Sequence, residues 1–230
     1  MQDTNSPASA FGAFQADRNL APLIPAWTKW GFTAFMAVLV PVYWANYGPT
    51  NFLYFCDAAL FLTLFAVWTS SRLAVSMAAV GILLPQFFWC VDFAFELSGH
   101  PLSHMTSYMF NSERSLFLRG LSFFHGWLPF LLLFLVRRLG YDRRALVGWV
   151  ALAWTLCLVS YFLLPPAGAH LPNPGTPVNV NYVFGMSDTQ PQRWLSPGLY
   201  LVVWMTALAT VVYTPTHLVL RRFATPSTRA

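Results

Sequence analysis

Residues 73–96 read LAVSMAAVGILLPQFFWCVDFAFE, a run without a basic side chain whose two carboxylates both lie near its end. A helix needs about 20 mostly apolar residues to cross the roughly 30 Å hydrocarbon core of a bilayer. This stretch is long and apolar enough, so it predicts a transmembrane helix. Its polar end needs partners from other parts of the chain.

Five further apolar runs lie on either side of this stretch. In hydrocarbon only helices and closed barrels satisfy their own backbone, and these runs have neither the length nor the alternation of barrel strands. We therefore predict an all-α membrane protein, a six-transmembrane-helix bundle over residues 27–220, with loose tails at 1–26 and 221–230. The six spans are expected near 27–45, 51–69, 73–96, 117–136, 145–164 and 198–220.

Composition excludes the common soluble classes. The 230 residues are 57% apolar and only 9% charged, whereas soluble domains are roughly 25% charged. The net charge of +5 does not predict a nucleic-acid partner, because 12 of the 13 basic residues are arginines in short connections between apolar runs. Membrane lipids are the expected partners.

The arginines also predict an orientation, because cytoplasmic loops carry an excess of basic residues. With six spans, both termini are expected in the cytoplasm, most simply at a bacterial inner membrane. Three basic residues then lie outside, namely Arg114, Arg119 and Arg193. Ten lie inside: Arg18, Lys29, Arg72, Arg137, Arg138, Arg143, Arg144, Arg221, Arg222 and Arg229.

Two longer connections, near 97–116 and 165–197, fall outside in this topology. The second is rich in Pro, Gly and Asn and is expected to fold as a lid, with Ser196 and Pro197 beginning the last helix. Histidines 100, 104 and 170 show no recognised metal-ligand spacing, and the three cysteines form no disulfide pattern. We therefore expect no metal ion and no cofactor.

Ionisable residues inside predicted spans are functional candidates by default, since burying them in the bilayer is costly. They are Asp57, Asp92, Glu96, His125 and His217. All except His217 fall in the outer half. Asp92 and Glu96 lie four residues apart on one helix face and could bind substrate or pair with Arg119. Asp57 could orient a substrate or join helices by hydrogen bonds, and His217 is expected near the inner interface.

Cys56 and His125 are the candidate catalytic pair. A thiol nucleophile needs a base within hydrogen-bond reach, and these two residues are predicted at similar depths on different helices. The competing interpretation makes Cys56 a small packing residue and His125 a structural hydrogen-bonding group.

The order of three short motifs resembles the YwaF-like family of six-span integral membrane proteins, which is distantly similar to a eukaryotic transmembrane lipid acyltransferase. The motifs are Leu53-Tyr54-Phe55-Cys56-Asp57, Phe123-Phe124-His125-Gly126 and Asn181-Tyr182-Val183-Phe184. The resemblance implies a nucleophile at Cys56 and a base at His125, with Asn181 and Tyr182 folding towards the cavity. Tyr54 stands where family members often have His.

Three functions follow as hypotheses. The first is acyl transfer or ester hydrolysis on a lipid in the outer half of the membrane, with Cys56 as nucleophile. The second is a non-catalytic membrane scaffold whose lid binds a partner protein, and the third is a proton- or cation-coupled transporter that uses the buried carboxylates.

Overall fold

The computed structural model describes residues 23–100, 102–103 and 105–223. Within these ranges the chain forms helices and turns and no strand, which confirms the all-α prediction. The predicted tails lie largely outside the described residues. The helices are α1 (Ala26–Tyr47), α2 (Phe55–Thr69), α3 (Arg72–Leu97), α4 (Leu116–Ser122), α5 (Phe124–Leu139), α6 (Ala145–Leu163), α7 (Pro197–Ala207) and α8 (Thr214–Phe223).

Four helical stretches are long and apolar enough to cross a membrane: Arg72–Leu97, Leu116–Leu139, Ala145–Leu163 and Pro197–Phe223. Four such helical stretches indicate a multi-pass integral membrane protein. The other two predicted spans form α1, which has 22 residues but is less apolar, and α2, which has 15. At 1.5 Å per residue α2 is about 22 Å long. The predicted count of six is therefore not confirmed.

Helix α3, formed by the stretch quoted first, is the centre of the bundle. It packs against α2, α5, α6 and α8. Small residues on α3 let its neighbours approach closely: the indole of Trp149 lies flat on Gly81, where any Cβ atom would overlap the ring. Of the four long helical stretches, the apolar window of α3 is the most buried, at 61%.

The bundle has two chemically different ends. The turns at 70–71 and 140–144 lie at one end with Phe223, as the bond from Arg72 Nε to the Leu139 carbonyl shows (2.9 Å). We call this the arginine end. The opposite end, which we call the loop end, carries the connections 98–115 and 164–196.

Two long helical stretches are irregular. The amide of Gly126 bonds to the Phe123 carbonyl, three residues back, so α4 and α5 meet at a bend beside Phe123. The last stretch contains a π-helical segment, Leu208–Tyr213, between α7 and α8. It adjoins Pro215, which cannot supply a helical N–H. Such irregularities often mark functional positions in helices, and the first of them positions His125.

Candidate functional site

Two short 3-10 helices of the loop end, Pro49–Leu53 and Val180–Tyr182, meet through the side chain of Asn181. Its Oδ1 accepts a hydrogen bond from the Phe55 amide (3.1 Å), and its Nδ2 donates to the Leu53 carbonyl (2.9 Å) and to Ser160 Oγ (3.4 Å). The Asn181 carbonyl accepts from Trp204 Nε1 (2.9 Å). One buried asparagine therefore joins α2, α6, α7 and the lid.

These contacts place the lid inside the bundle rather than over it. Trp204 lies seven residues into α7 and Ser160 three residues before the end of α6, which corresponds to depths of about 10 Å and about 5 Å. Irregular backbone at membrane depth must be satisfied by protein groups. The bonds of Asn181 supply those partners, and the shortness of α2 leaves room for the lid.

The backbone of the lid explains why asparagine occurs here. Asn179, Asn181 and Tyr182 all have positive φ, at 52°, 61° and 59°. Asparagine adopts this left-handed conformation more readily than other residues with a Cβ. The side-chain Nδ2 of Asn179 donates to the Gly185 and Ser187 carbonyls, while its Oδ1 accepts from the backbone N–H of Phe184. Hydrogen bonds within the lid therefore define its backbone conformation.

Cys56 and Asp57 lie just beneath this lid, in the first turn of α2. The Cys56 thiol, which is partly exposed, lies 3.5 Å from Asp57 Oδ2 and donates to it. Asp57 is 3% exposed, and its Oδ1 has no partner within the described residues. The N-terminus of a helix stabilises negative charge. A carboxylate this close to the sulfur disfavours a thiolate, so the thiol stays protonated and donates to Asp57, whose Oδ1 is left as a free acceptor.

The bend between α4 and α5 sets the protonation of His125. Because Gly126 bonds to Phe123 instead of Ser122, the Ser122 carbonyl is free, and His125 Nδ1 lies 2.8 Å from it. A carbonyl only accepts, so Nδ1 carries the proton. In the neutral ring Nε2 is then the nitrogen that can accept one, as a general base requires.

The structure does not bring Cys56 and His125 into direct contact. Among their hydrogen bonds in the described part of the chain, none joins the two side chains. The His125 ring stacks on Trp89 at 5.4 Å between centroids, and Trp89 Nε1 donates to Tyr108 Oη at 3.2 Å. Tyr108 in turn lies within electrostatic range of Cys56. Trp89 and Tyr108 thus link the His125 ring to the surroundings of Cys56.

Tyrosines surround the thiol. Burial raises the pKa of Tyr108, and it raises that of Tyr182 to about 12; both also feel the charge of Cys56. Their hydroxyls therefore stay protonated and can donate hydrogen bonds. On α1, the Tyr43 hydroxyl bonds to Ser122 Oγ at 2.8 Å. The sequence prediction included Tyr182 and Tyr54, which precedes α2 directly and is partly buried, but missed Tyr43 and Tyr108.

Asp92 holds the 98–115 loop. Its Oδ1 accepts from the amide and hydroxyl of Ser103 (2.7 and 2.8 Å), and its Oδ2 accepts from the amide and hydroxyl of Thr106 (both 2.9 Å). Glu96, one turn later, accepts from Ser107 Oγ. Four donors on a fully buried carboxylate compensate for its burial.

The alternative pairing of these carboxylates with Arg119 is not formed. Arg119 Nη1 donates instead to the Met109 carbonyl at 3.1 Å. Over the described ranges, the one carboxylate–arginine ion pair is Asp142 with Arg144. His217 lies near the arginine end as predicted, and its Nδ1 bonds to the Tyr141 hydroxyl at 2.6 Å.

The remaining candidates lie away from Cys56. His100 and His170 are exposed, and His104 is outside the described residues. No group of three potential metal ligands occurs in the described part of the chain. The Cys90 thiol is 3.9 Å from the His125 carbonyl, which Pro129 leaves without its helical donor. The proline four residues after His125 was the sequence signal for that contact.

A groove of about 260 Å³ opens between the lid and α7, and Cys56 does not line it. Its lining is largely aromatic and apolar, with Trp194, Tyr200 and Trp204 beside Met186. Tyr200 and Trp204 also donate hydrogen bonds to the carbonyls of Tyr182 and Asn181. The aromatic lining of the groove is thus tied to the segment 181–182 of the lid.

Comparison with known proteins assigns no relative. No family model matches the chain, and neither a curated protein nor a solved structure matches it. The class stated here, a multi-pass helical membrane protein, therefore comes from the helices themselves. The resemblance to the YwaF-like family stays a prediction.

Proposed function

We propose that this protein is a six-span membrane enzyme that transfers or hydrolyses lipid acyl groups through Cys56. The observation that carries the proposal is the Cys56–Asp57 pair at a helix N-terminus, beneath a lid that Asn181 fastens at membrane depth. A thiol with an adjacent proton acceptor is the minimum for nucleophilic catalysis. Lipid is the substrate that meets such a site from within the bilayer.

The first half-reaction uses groups that lie close together. Asp57 Oδ2 takes the thiol proton, and the sulfur attacks the acyl carbonyl of a lipid ester. The C–S bond forms as the C–O bond breaks, and the alcohol leaves with the proton from Asp57. The protonated hydroxyls of Tyr108 and Tyr182 are the nearest candidates to donate to the oxyanion.

The second half-reaction releases the acyl group from Cys56. Water or an acceptor alcohol attacks the thioester, with His125 Nε2 as the proton acceptor, and sulfur leaves as the thiolate. The Nδ1 bond to Ser122 supports this role, because it leaves Nε2 unprotonated in the neutral ring. Because no hydrogen bond joins His125 to Cys56 in the described part of the chain, we assign His125 to the acceptor and not to the thiol, and the protonated ring then returns its proton to the thiolate through water.

The test is covalent acylation of the purified protein by phosphatidylcholine with a fluorescent acyl chain. Label on Cys56 that neutral hydroxylamine removes is the expected result, since hydroxylamine cleaves thioesters. Cys56→Ala should abolish the label, whereas a Cys90→Ala/Cys157→Ala double variant should keep it. His125→Ala should slow release of the acyl group more than its attachment. Equal labelling of Cys90, or label that persists in Cys56→Ala, rules out the proposal.

The six-span topology is tested separately. Reporter domains fused to each terminus should both be cytoplasmic, and a cysteine introduced at the exposed Arg193 should react with an impermeant maleimide from outside. A periplasmic reporter at one terminus would reduce the number of spans to an odd one. It would also move the lid relative to the thiol.

A non-catalytic scaffold is the second candidate, favoured by the absence of a bond between Cys56 and His125 among the contacts of these two residues. It predicts no acylation and no loss of function in Cys56→Ala. Transport is less favoured, because Asp92 and Glu96 already bind the 98–115 loop. Proton flux in proteoliposomes that depends on Asp92 would reverse that order.

A further inference from the structure

The arginine end carries a concentration of positive charge that its own carboxylates do not balance. Asp142 is the one carboxylate at this end within the described residues, and it is bound to Arg144 at 2.8 Å. The cations there, besides Lys29, are Arg72, Arg137, Arg138, Arg143, Arg144, Arg221 and Arg222, and all seven arginines are exposed.

Two of these arginines are brought together by a buried contact. The Tyr141 hydroxyl and His217 Nδ1 are 2.6 Å apart, and both residues are 8% exposed. This bond fastens the 140–144 turn to α8. Arg143 follows Tyr141 by two residues and Arg221 follows His217 by four, one helical turn, and both act electrostatically on His217. The fold therefore holds two guanidinium groups from distant parts of the chain around one imidazole.

Like charges held close together repel unless an anion lies between them. Four of the other five arginines of this end have protein partners: Arg72 bonds to the Leu139 carbonyl, Arg144 to Asp142, and Arg138 and Arg222 lie over the Phe134 and Phe223 rings. Helices long and apolar enough to cross a membrane end here, so we expect the membrane surface, with its lipid phosphates, at this end. Guanidinium groups bind phosphate oxygens with two parallel hydrogen bonds.

We propose that Arg143 and Arg221, positioned by the Tyr141–His217 hydrogen bond, form a binding site for the phosphate of an anionic phospholipid headgroup. The site is separate from Cys56 and lies at the opposite end of the bundle. Basic pockets between helix ends at the membrane surface are a known way to hold such headgroups.

The experiment measures lipid retention by native mass spectrometry. The full chain is purified in micelles containing equal amounts of phosphatidylglycerol and phosphatidylcholine, and the ratio of the two bound lipids is recorded. Retention of phosphatidylglycerol should exceed that of phosphatidylcholine. Each arginine removed from the site should weaken that preference roughly fivefold, so Arg143→Gln/Arg221→Gln should nearly abolish it.

The matched control is Arg137→Gln/Arg138→Gln, which removes the same charge from the same end but not from the Tyr141–His217 contact. It should keep most of the preference. An equal loss in both double variants overturns the site, because diffuse surface attraction then explains binding. If the glutamine variant does not fold, Arg143→Lys/Arg221→Lys keeps the charge and should lose part of the preference; an unchanged ratio there overturns bidentate recognition.

A final arm separates the two sources of phosphate. Inorganic phosphate is added at an ionic strength matched with chloride. Phosphatidylglycerol should stay bound, because the headgroup is also held by its acyl chains in the micelle. Displacement of the lipid by inorganic phosphate but not by chloride would overturn the lipid as the ligand.

Discussion

The loop end and the arginine end hold their charges in opposite ways. At the loop end the described residues include five carboxylates and three arginines, and the most buried carboxylate, Asp92, is surrounded by hydrogen-bond donors. At the arginine end the seven arginines are exposed, and among the described residues only one carboxylate, Asp142, accompanies them. Buried polar groups build a fixed cavity, whereas exposed ones remain available to a ligand from outside. This difference is the reason why we propose chemistry at one end and surface binding at the other.

The largest effect is expected from Asn181→Ala at the loop end. It removes the partners of the Phe55 amide and of the Leu53 carbonyl, and each unsatisfied buried group costs about 1–3 kcal/mol. Alanine is also strained at a φ of 61°. We expect a loss of about 3–5 kcal/mol in the free energy of unfolding, measured by SDS titration in mixed micelles.

Asn111→Ala is the control for this prediction. Asn111 is exposed, and its side chain accepts one bond from the Glu113 amide, so its loss should cost less than about 1 kcal/mol. Equal destabilisation by the two variants would mean that the lid is not fixed by Asn181. The contrast between a loop end fixed by buried hydrogen bonds and an arginine end with exposed charges would then not hold.

The next largest effect is expected from Asp92→Asn. An amide keeps one acceptor oxygen, but its NH₂ group then faces two of the four donors of Ser103 and Thr106. Losing two charge-assisted bonds should cost about 2–4 kcal/mol. The loop that carries Tyr108 should loosen, seen as faster amide hydrogen exchange across 105–110.

Glu96→Gln serves as the matched change one helical turn away. Glu96 is only partly buried and accepts from Ser107 through either oxygen, so its replacement should cost less than about 1 kcal/mol. If Glu96→Gln loosens the loop as much as Asp92→Asn, the buried carboxylate is not the anchor. The position of the loop would then depend on the combined negative charge of Asp92 and Glu96 and not on the hydrogen bonds of Asp92.

Two tyrosine hydroxyls, one at each end, allow a direct comparison of the two ends. Their removal is expected to change the free energy of unfolding less than the substitutions above. Tyr43 bonds to Ser122 at the loop end and Tyr141 to His217 at the arginine end. Each change to Phe leaves one buried partner unsatisfied and should cost about 1–2 kcal/mol. Thermal unfolding in detergent measures both. Only Tyr141→Phe should also reduce phosphatidylglycerol retention, and a reduction by Tyr43→Phe would contradict the separation of the two ends.

Periodicity and length were enough to predict most of the helices. The run 73–96 became Arg72–Leu97 and the run 145–164 became Ala145–Leu163, because apolar length alone decides where a helix can cross a bilayer. The run 51–69 began later, at Phe55. The Phe55 amide donates a hydrogen bond to Asn181 of the lid, 126 positions away in sequence. No local sequence pattern indicates a partner at that distance.

The candidate site stays a prediction from sequence, and the pairing of its residues depends on how the helices pack. Cys56 and Asp57 were recognised as adjacent polar groups at similar depth, and their hydrogen bond follows from being neighbours in one turn. The expected contact with His125 depends on the rotation of two helices about their axes, which hydropathy does not determine. Likewise, Asp92 was expected to meet Arg119, but nearby hydroxyls and amides of the loop satisfy it first.

The smallest effect concerns pH at the arginine end. The Arg144 side chain, which donates two hydrogen bonds to Asp142, holds the pKa of that carboxyl below its usual range. A lowered pKa in the folded protein adds stability above the ordinary value of about 4, and this stability is lost as the pH falls through the lowered pKa. Asp142→Asn should therefore lower the free energy of unfolding at neutral pH by less than about 1 kcal/mol, since the pair is partly solvated.

Once the pH falls below the lowered pKa of Asp142, the unchanged protein and the Asp142→Asn variant should converge, because the carboxyl is then protonated in both the folded and the unfolded state. At neutral pH, added salt should narrow the same difference, because it screens exposed charges. Glu113→Gln, an exposed carboxylate at the loop end, should show neither behaviour. A salt-independent difference for Asp142→Asn would mean that the ion pair is buried and balanced, and the arginine end would then resemble the loop end after all.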